Sequence, residues 1–549
     1  MLSLYFKYLR YWNTIRYLKL SQVFYRIKFL LPNSKISQSK KNELNLLSNA
    51  WIKSAYKNQS MVSENAFEFL NETLVIKRND WNNSNVSKLW LYNLHYFDDL
   101  NAHNSLGRKS WHFSIINRWI EENPISIGNG WEPYPTSLRI VNFIKWSLKG
   151  NILESHWVSS LEIQARFLSK NIEMHLLGNH VIANAKALIF AGLFFKGSEA
   201  DEWYLKGRKI LLKEIDEQIL SDGGNFELSP MYHLIFLEDL LDIFNIHQVF
   251  NHTCPDRVID KIPMMHSWIK TMCHPDEDIS FFNDSSLGVA PSLKEIESYA
   301  IRLNLLSSFG GNNPKQNLIN LKDSGYSRVS YGNLVALIDR ASIGPDYLPA
   351  HAHADTLSFE LSLFNYRLIV NSGTSVYEDS EERNRQRGTM AHSTVAIDGV
   401  NSSEVWGAFR VANRAKVFAS KDLEQNKKII LSACHNGYHR MKGNPIHCRK
   451  WTFLDQLLAV EDVIEGKYDH EVDIIFPLHP LVELIEVNGN KVMLDLLGNP
   501  IDIKFDGNGL LNVEKSSYHP EFGISVENLT LHFKLNGELP LNSITTISW

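Results

Sequence analysis

Hydrophobic and polar positions change their period midway along the 549 residues. From about residue 85 to 308, aromatic and aliphatic side chains recur at spacings of three and four, as in LRIVNFIKWSL and LEDLLDIFNIHQVF, which predicts helices. Several are apolar on more than one side, so other helices are expected to enclose them. Ala183, Ala185, Ala187 and Ala191 in NHVIANAKALIFAG predict close helix approach. FGGNNPKQNLINLKDSG, residues 309 to 325, has no period and reads as a linker. Beyond it, short alternating segments such as LVALIDRA, STVAIDG and ISVENLTLHFKL sit between Gly, Asn and Asp turns, the pattern of an antiparallel sandwich. In HAHADTLSFELSLF, residues 351 to 364, Leu357, Phe359, Leu361 and Leu363 alternate with Ser358, Glu360 and Ser362, which predicts a half-buried strand. Extended backwards, that strand puts His351 and His353 at the mouth of its apolar layer. The expected organisation is multidomain α+β: a basic, aromatic helical extension (1–84), a helical array (85–310), a linker (311–325) and a β-domain (326–549).

Length alone calls for two cores, and a composition 44% hydrophobic and 11% aromatic supplies them. A net charge of −5 gives no general attraction to polyanions, so nucleic acid is not expected as a partner. One local exception precedes Glu43, where nine Lys and Arg residues and no acid lie among many aromatics. Residues 1–31 suit either peripheral contact with anionic lipid or packing of the aromatics onto the main body with the cations solvated. The second reading is adopted. The N-terminal stretch lacks signal-peptide character, and ALIFAGLFF (187–195) is too short to cross a bilayer, so a cytoplasmic or membrane-peripheral location is expected. Cys254, Cys273, Cys434 and Cys448 read as buried free thiols.

Candidate chemistry gathers at helix and strand starts. In DGGNFELSPMYHLIF, Ser229 is a cap and Pro230 the first helical residue, leaving Tyr232 and His233 in the first turn. The helix terminus there favours anions and helps Tyr232 toward phenolate, unless Tyr232 is simply a core wall. MHLLGNHVIANA sets Asn179 and His180 at another helix start, where they could act or merely cap. WEPYPTSLRIVNFIKW does likewise with Glu132, Tyr134 and Arg139, the last able to clamp a carboxylate or make an internal ion pair. His353 and His392 could ligate zinc with Asp355 or Asn371 as a third ligand. There is no G-x-S-x-G elbow, phosphate loop or H-E-x-x-H. The set suits proton transfer better than covalent attack.

Taken in order, GNH, DGGNFELSPMYH, HAHAD, LIVNSGTSVY and AHSTVAIDG resemble the heparinase II/III family of polysaccharide lyases. The resemblance implies an N-terminal (α/α) toroid of helical hairpins, a C-terminal antiparallel β-sandwich, and β-elimination at a uronic acid of an acidic polysaccharide. Asn179, assisted by His180, would neutralise the uronate carboxylate, and Tyr232 and His351 would serve as base and acid. His353, Asn371 and His392 fall at the family's divalent-metal positions, zinc being the metal expected. The family has Asp where this chain has Asn371, which implies a metal weakened or absent, with Asp355 a candidate to compensate. Substrate contacts are expected from Trp131, Arg139, Glu227, His233, Arg387, Trp406 and Arg410. Arg383 and Arg385 are further candidates unless the arginines of EERNRQRGTMAH pair with Glu381 and Glu382. The family's usual location is periplasmic. The alternative function is a non-catalytic glycan-binding protein of an envelope or capsule polysaccharide assembly system.

Overall fold

The computed structural model describes residues 2–29, 36–37, 42–305, 317–425 and 427–549. Two helices, α1 (Leu2–Ile15) and α2 (Leu20–Phe29), open the chain. The expectation of a helical extension through residue 84 holds only this far. Met61–Ser63, Ala66–Phe69 and Glu72–Val75 instead form a three-stranded antiparallel meander. Met61 and Phe67 of that meander, with Trp51 ahead of it, are buried in the helical core.

Among the described residues nine longer helices follow: α3 (Lys88–Tyr96), α4 (Lys109–Glu122), α5 (Pro133–Leu148), α6 (Ser155–Lys170), α7 (Gly178–Phe194), α8 (Ser198–Gln218), α9 (Pro230–Val249), α10 (Asp256–Thr271) and α11 (Leu293–Arg302). α7 is the innermost, with Val181 to Phe194 buried throughout and α5, α8 and α9 packed around it. The predicted close approach is made with α8. A Cβ on Gly207 would lie 2.7 Å from the Ala185 carbonyl oxygen, so the two backbones are nearly in contact. Among the described residues no helix is long and apolar enough to cross a membrane.

The C-terminal half is antiparallel throughout its ladders. A five-stranded sheet runs in the order Tyr366–Ile369, Phe359–Leu363, Leu334–Asp339, Tyr326–Tyr331, Leu318–Leu321. Its last strand lies in what was expected to be linker, and residues 311–316 of that linker fall outside the described residues. An eight-stranded sheet, a four-stranded sheet and the short pair Val405–Trp406 and Arg410–Val411 follow, and the three larger sheets enclose the second core. The first core does not stop at the boundary, because Tyr326, Leu337, Val370 and Tyr518 of the β half belong to it. The two halves are therefore joined by buried side chains.

The strand predicted to reach back to His351 begins at Phe359. Leu357 takes a left-handed backbone (φ 61°), which breaks the extended chain and leaves 351–357 as a loop. Nor is the strand half-buried. Its polar side faces the helical half, where Glu360 accepts from His274 Nε2 (2.6 Å) and the Phe281 amide (3.0 Å), and Ser362 meets His274 Nδ1 (2.7 Å). Cys254 and Cys273 are buried free thiols as expected, but Cys434 and Cys448 are directly opposed on neighbouring strands and form a disulfide.

Candidate active site

The helix starts behave as their sequences dictate. Ser229 caps α9, its Oγ accepting from the Tyr232 amide (3.2 Å), with Pro230 at the first helical position. α7 begins at Gly178, whose φ of +58° and tight surroundings demand glycine: a Cβ there would sit 2.8 Å from Glu227 Oε1. That fit places Asn179 against Glu227. The Asn179 side-chain amide is half-exposed and hydrogen-bonds to no described residue. His180 Nδ1 lies 3.2 Å from Glu173 Oε1, and its ring packs on Tyr134 at 4.5 Å. Burial opposes charge on His180, but Glu173 outweighs it and raises its pKa.

From the other half of the chain the loop 351–357 supplies His351, whose ring lies 3.9 Å from that of Tyr232. His351 Nδ1 is 2.9 Å from Asp284 Oδ2, and its Nε2 is 3.7 Å from Glu227 Oε2. Tyr232 Oη is 3.0 Å from Tyr377 Oη. Helix starts, then, bring Asn179, His180 and Tyr232 together with His351, although they come from both halves of the chain.

Asp284 organises this group. It also accepts from His353 Nε2 (2.9 Å) and from both terminal nitrogens of Arg383, one of them at 2.7 Å. Its amide donates to the His351 carbonyl (2.9 Å), and its own carbonyl accepts from Ser229 Oγ (2.6 Å). One residue thus ties the start of α9 to the histidine loop. Burial works against its charge, but Arg383 and the two imidazoles hold the carboxyl well below its ordinary range. An anionic Asp284 accepts the Nδ1 proton of His351 and leaves the Nε2 lone pair on the side of Glu227.

Two other groups move the opposite way. Burial, then Tyr377 and Asp284, raise the Tyr232 phenol well above its usual value, so it is a held proton rather than the phenolate its helix position suggested. Burial likewise raises the Glu227 carboxyl. Glu227 Oε1 is buried with no hydrogen-bond partner. In its protonated form this carboxyl can donate to a carboxylate brought in by a ligand.

Neither Asp284 nor Tyr377 was singled out from sequence. Tyr377 closes the LIVNSGTSVY stretch, whereas Asp284, in FFNDSS, carries no signal beyond a turn.

Several expected substrate contacts are instead structural. Arg139 is fully buried, bonding Gln164, the His95 and Gly130 carbonyls and stacking 3.8 Å over Trp119. Trp131 is buried against Trp119 and Phe167, with Nε1 on the Asn123 carbonyl. His233 points away from Tyr232, stacked 4.4 Å from Trp268 with Nε2 on the Met265 carbonyl. Arg387 is buried on the carbonyls of Ala352 (3.0 Å) and Gly407 (2.9 Å). Arg385 pairs with Glu382 at 2.7 Å. Trp406 and Arg410 do stay accessible, the guanidinium 4.7 Å over the indole. Phe409, between them and the site, lies 6.1 Å from His351.

The expected metal ligands meet without a carboxylate among them. The His353 and His392 rings are 5.3 Å apart, and the Asn371 amide oxygen accepts from His392 Nδ1 (3.0 Å). That leaves His353 Nδ1, His392 Nε2 and Asn371 Nδ2 buried and unpartnered. The set therefore holds two imidazoles and an amide, and no carboxylate joins the two imidazoles. Asp355 does not compensate, since its Oδ2 accepts from the Asn283 amide (3.2 Å). Among the described residues no group of three or more His, Cys, Asp and Glu could hold a metal ion.

Comparison with known proteins places this arrangement. A heparin-sulfate lyase of Bacteroides stercoris is 30% identical over 243 residues, 41% of this chain and 36% of that protein. A heparin-sulfate lyase of Pedobacter heparinus is 24% identical over 321 residues, 52% of this chain and 47% of that protein. The chain thus matches half or less of the length of these relatives. The crystal structure of heparinase III shares the fold, with a TM-score of 0.71 and 20% identity over 85% of this chain and 79% of the other. The model of the heparinase II/III N-terminus matches residues 24–303 and that of the heparinase II/III-like C-terminal region matches 313–549, so both halves that build the cleft are accounted for: the chain belongs to the heparinase II/III family.

Proposed function

We propose that this chain is a polysaccharide lyase that cleaves a uronic-acid-containing acidic polysaccharide by β-elimination. The observation that carries the reading is His351, fixed by Asp284 with Nε2 on the side of Glu227 and its ring against a protonated Tyr232. The Asn179 amide and the Glu227 acid bind the uronate carboxylate and draw charge from C5, which makes its hydrogen removable. His351 Nε2 takes that proton. The electron pair becomes the C4–C5 double bond as the C4–O4 bond breaks, and Tyr232 Oη gives its proton to the leaving oxygen. Tyr377 Oη, 3.0 Å away, stabilises the phenolate that results.

A base and an acid whose rings touch act from one side of the sugar. Their geometry suits a uronate with H5 and O4 on the same face, which is glucuronate rather than iduronate. No step is routed through a metal. The helical half is read as an (α/α) toroid of helical hairpins, supported by the packing of α5, α8 and α9 around α7. The Cys434–Cys448 bond supports an oxidising compartment, the periplasm rather than the cytoplasm.

The test is ultraviolet absorbance of the unsaturated product from a panel of heparan-type, hyaluronan, alginate and bacterial capsule polysaccharides. Product is expected with native protein on a glucuronate polymer and absent with Tyr232→Phe and His351→Ala. Native protein that binds a glycan from the panel but yields no product from any of them refutes the lyase reading.

A further inference from the structure

The first two helices turn their apolar faces away from the rest of the protein. In α2, Leu20, Val23, Phe24 and Ile27 recur at the i, i+3, i+4, i+7 spacing of one helical face, and their exposures run from 43 to 88%. In α1, Tyr8, Trp12 and Ile15 make a similar stripe, 51 to 66% exposed. Packing of the aromatics onto the body was the expectation; Tyr11 meets it, its ring 5.1 Å from that of Trp406, but the residues of these stripes do not.

Polar and cationic side chains fasten the helices instead. Arg10 pairs with Glu404 at 2.7 Å, and Lys19 pairs with Glu217 on α8 at 2.6 Å. Gln22, buried, donates to the Tyr347 carbonyl at 3.3 Å, and the Arg414 guanidinium lies 3.8 Å over the Tyr17 ring. Thr14 Oγ1 accepts from Trp406 Nε1 at 3.1 Å. These ties reach both halves of the molecule, so the apolar stripes are held open beside the mouth of the cleft.

The outward charge is of one sign. Lys7, Arg16, Arg26 and Lys28 are exposed and pair with no carboxylate among the described residues. A sugar chain would engage the aromatics and cations but gives nothing to Leu20, Val23 and Ile27. A second copy would bring its own cations against these. An anionic lipid surface satisfies both the aliphatic stripe and the charge, with Trp and Tyr at the headgroup level. We propose that α1 and α2 lie on an anionic bilayer surface and hold the cleft mouth at Trp406 next to it. At 14 and 10 residues they lie in the interface and do not span it.

The experiment is co-sedimentation of the full chain with vesicles of phosphatidylcholine alone and of an equal mixture with phosphatidylglycerol. Binding is expected to the mixed vesicles only and to weaken with salt. Replacing Arg26 and Lys28 together by Gln is expected to lower partitioning roughly 25-fold, about five-fold per cation. Phe24→Ser with Ile27→Ser is expected to lower it as well, while leaving the melting temperature and any cleavage of soluble polysaccharide unchanged. The substituted side chains are exposed, so the fold does not depend on them. The proposal is overturned by native protein that ignores the mixed vesicles or by variants that sediment as native. It is equally overturned by a native dimer in light scattering that Phe24→Ser with Ile27→Ser converts to monomer.

Discussion

Asp284→Asn isolates the group on which the proposed chemistry depends. The native carboxylate takes five donors: His351 Nδ1, His353 Nε2, two nitrogens of Arg383 and, at 3.4 Å, Thr374 Oγ1. An amide keeps one acceptor oxygen and turns an NH2 toward the donors it replaces. If that NH2 faces His351 Nδ1, the imidazole carries its proton on Nε2 and the base is lost. A general base contributes about 10²–10⁴ in rate, which is about 2.7–5.5 kcal/mol of transition-state stabilisation. The same change leaves Arg383 buried without its counter-ion, a loss of about 3–5 kcal/mol in stability. Asp284 is held below its unfolded value, so its contribution is complete above pH ~4 and is lost only as pH falls through the depressed folded value. The assay is the initial rate of unsaturated product, with thermal melting alongside. Arg383→Met separates the two effects, because it removes the ion pair and leaves Asp284 to orient His351: its melting temperature should fall while the rate holds better than in Asp284→Asn. The reasoning is refuted if folded Asp284→Asn keeps kcat within about three-fold of native.

Arg387→Ala, on a side chain that binds two backbone carbonyls next to the site, should lower the melting temperature and kcat together. A raised KM with unchanged melting would restore it as a substrate contact. Asn371→Asp should strengthen zinc binding by adding a carboxylate to the two imidazoles, read as one equivalent of bound zinc and a zinc-dependent rise in melting temperature larger than that of native protein. Burial pushes Asp355 up to about 6, so the native state holds its proton longer than the unfolded chain and loses stability as pH rises from about 4 to 6. Asp355→Asn should therefore gain on native protein across that window, by up to about 3 kcal/mol at neutral pH, measured by denaturant titration at the two ends.

The parts legible in the sequence were those set by local rules. Ser229, Pro230 and Tyr232 could be placed on a helix start because a cap and an N1 proline act within four residues. Strand alternation after Leu357 could be read for the same reason, but the strand's start could not, since the left-handed Leu357 answers to tertiary packing. Its polar side reads as a solvent face because the partner, His274, is 86 residues away from Glu360. The Cys434–Cys448 pair depends on register between strands, and spacing along the chain does not reveal it. The periodicity of α1 and α2 was visible, yet amphipathicity says only that one face is apolar and not what covers it.

The same limit explains the arginines. An arginine near a motif reads as a ligand for an acidic substrate, but a guanidinium has five donors and can serve the backbone equally well. Arg387 does so, fixing the Ala352 carbonyl between His351 and His353, and Arg383 does the equivalent for Asp284. Groups proposed to touch substrate cluster in recognisable stretches because each must present one chemistry at one place. The groups that hold them need only reach the right point in space, so they come from any segment that passes nearby. Asp284, in a loop that follows α10, is such a group: it has no motif because its role was created by the docking of the two halves.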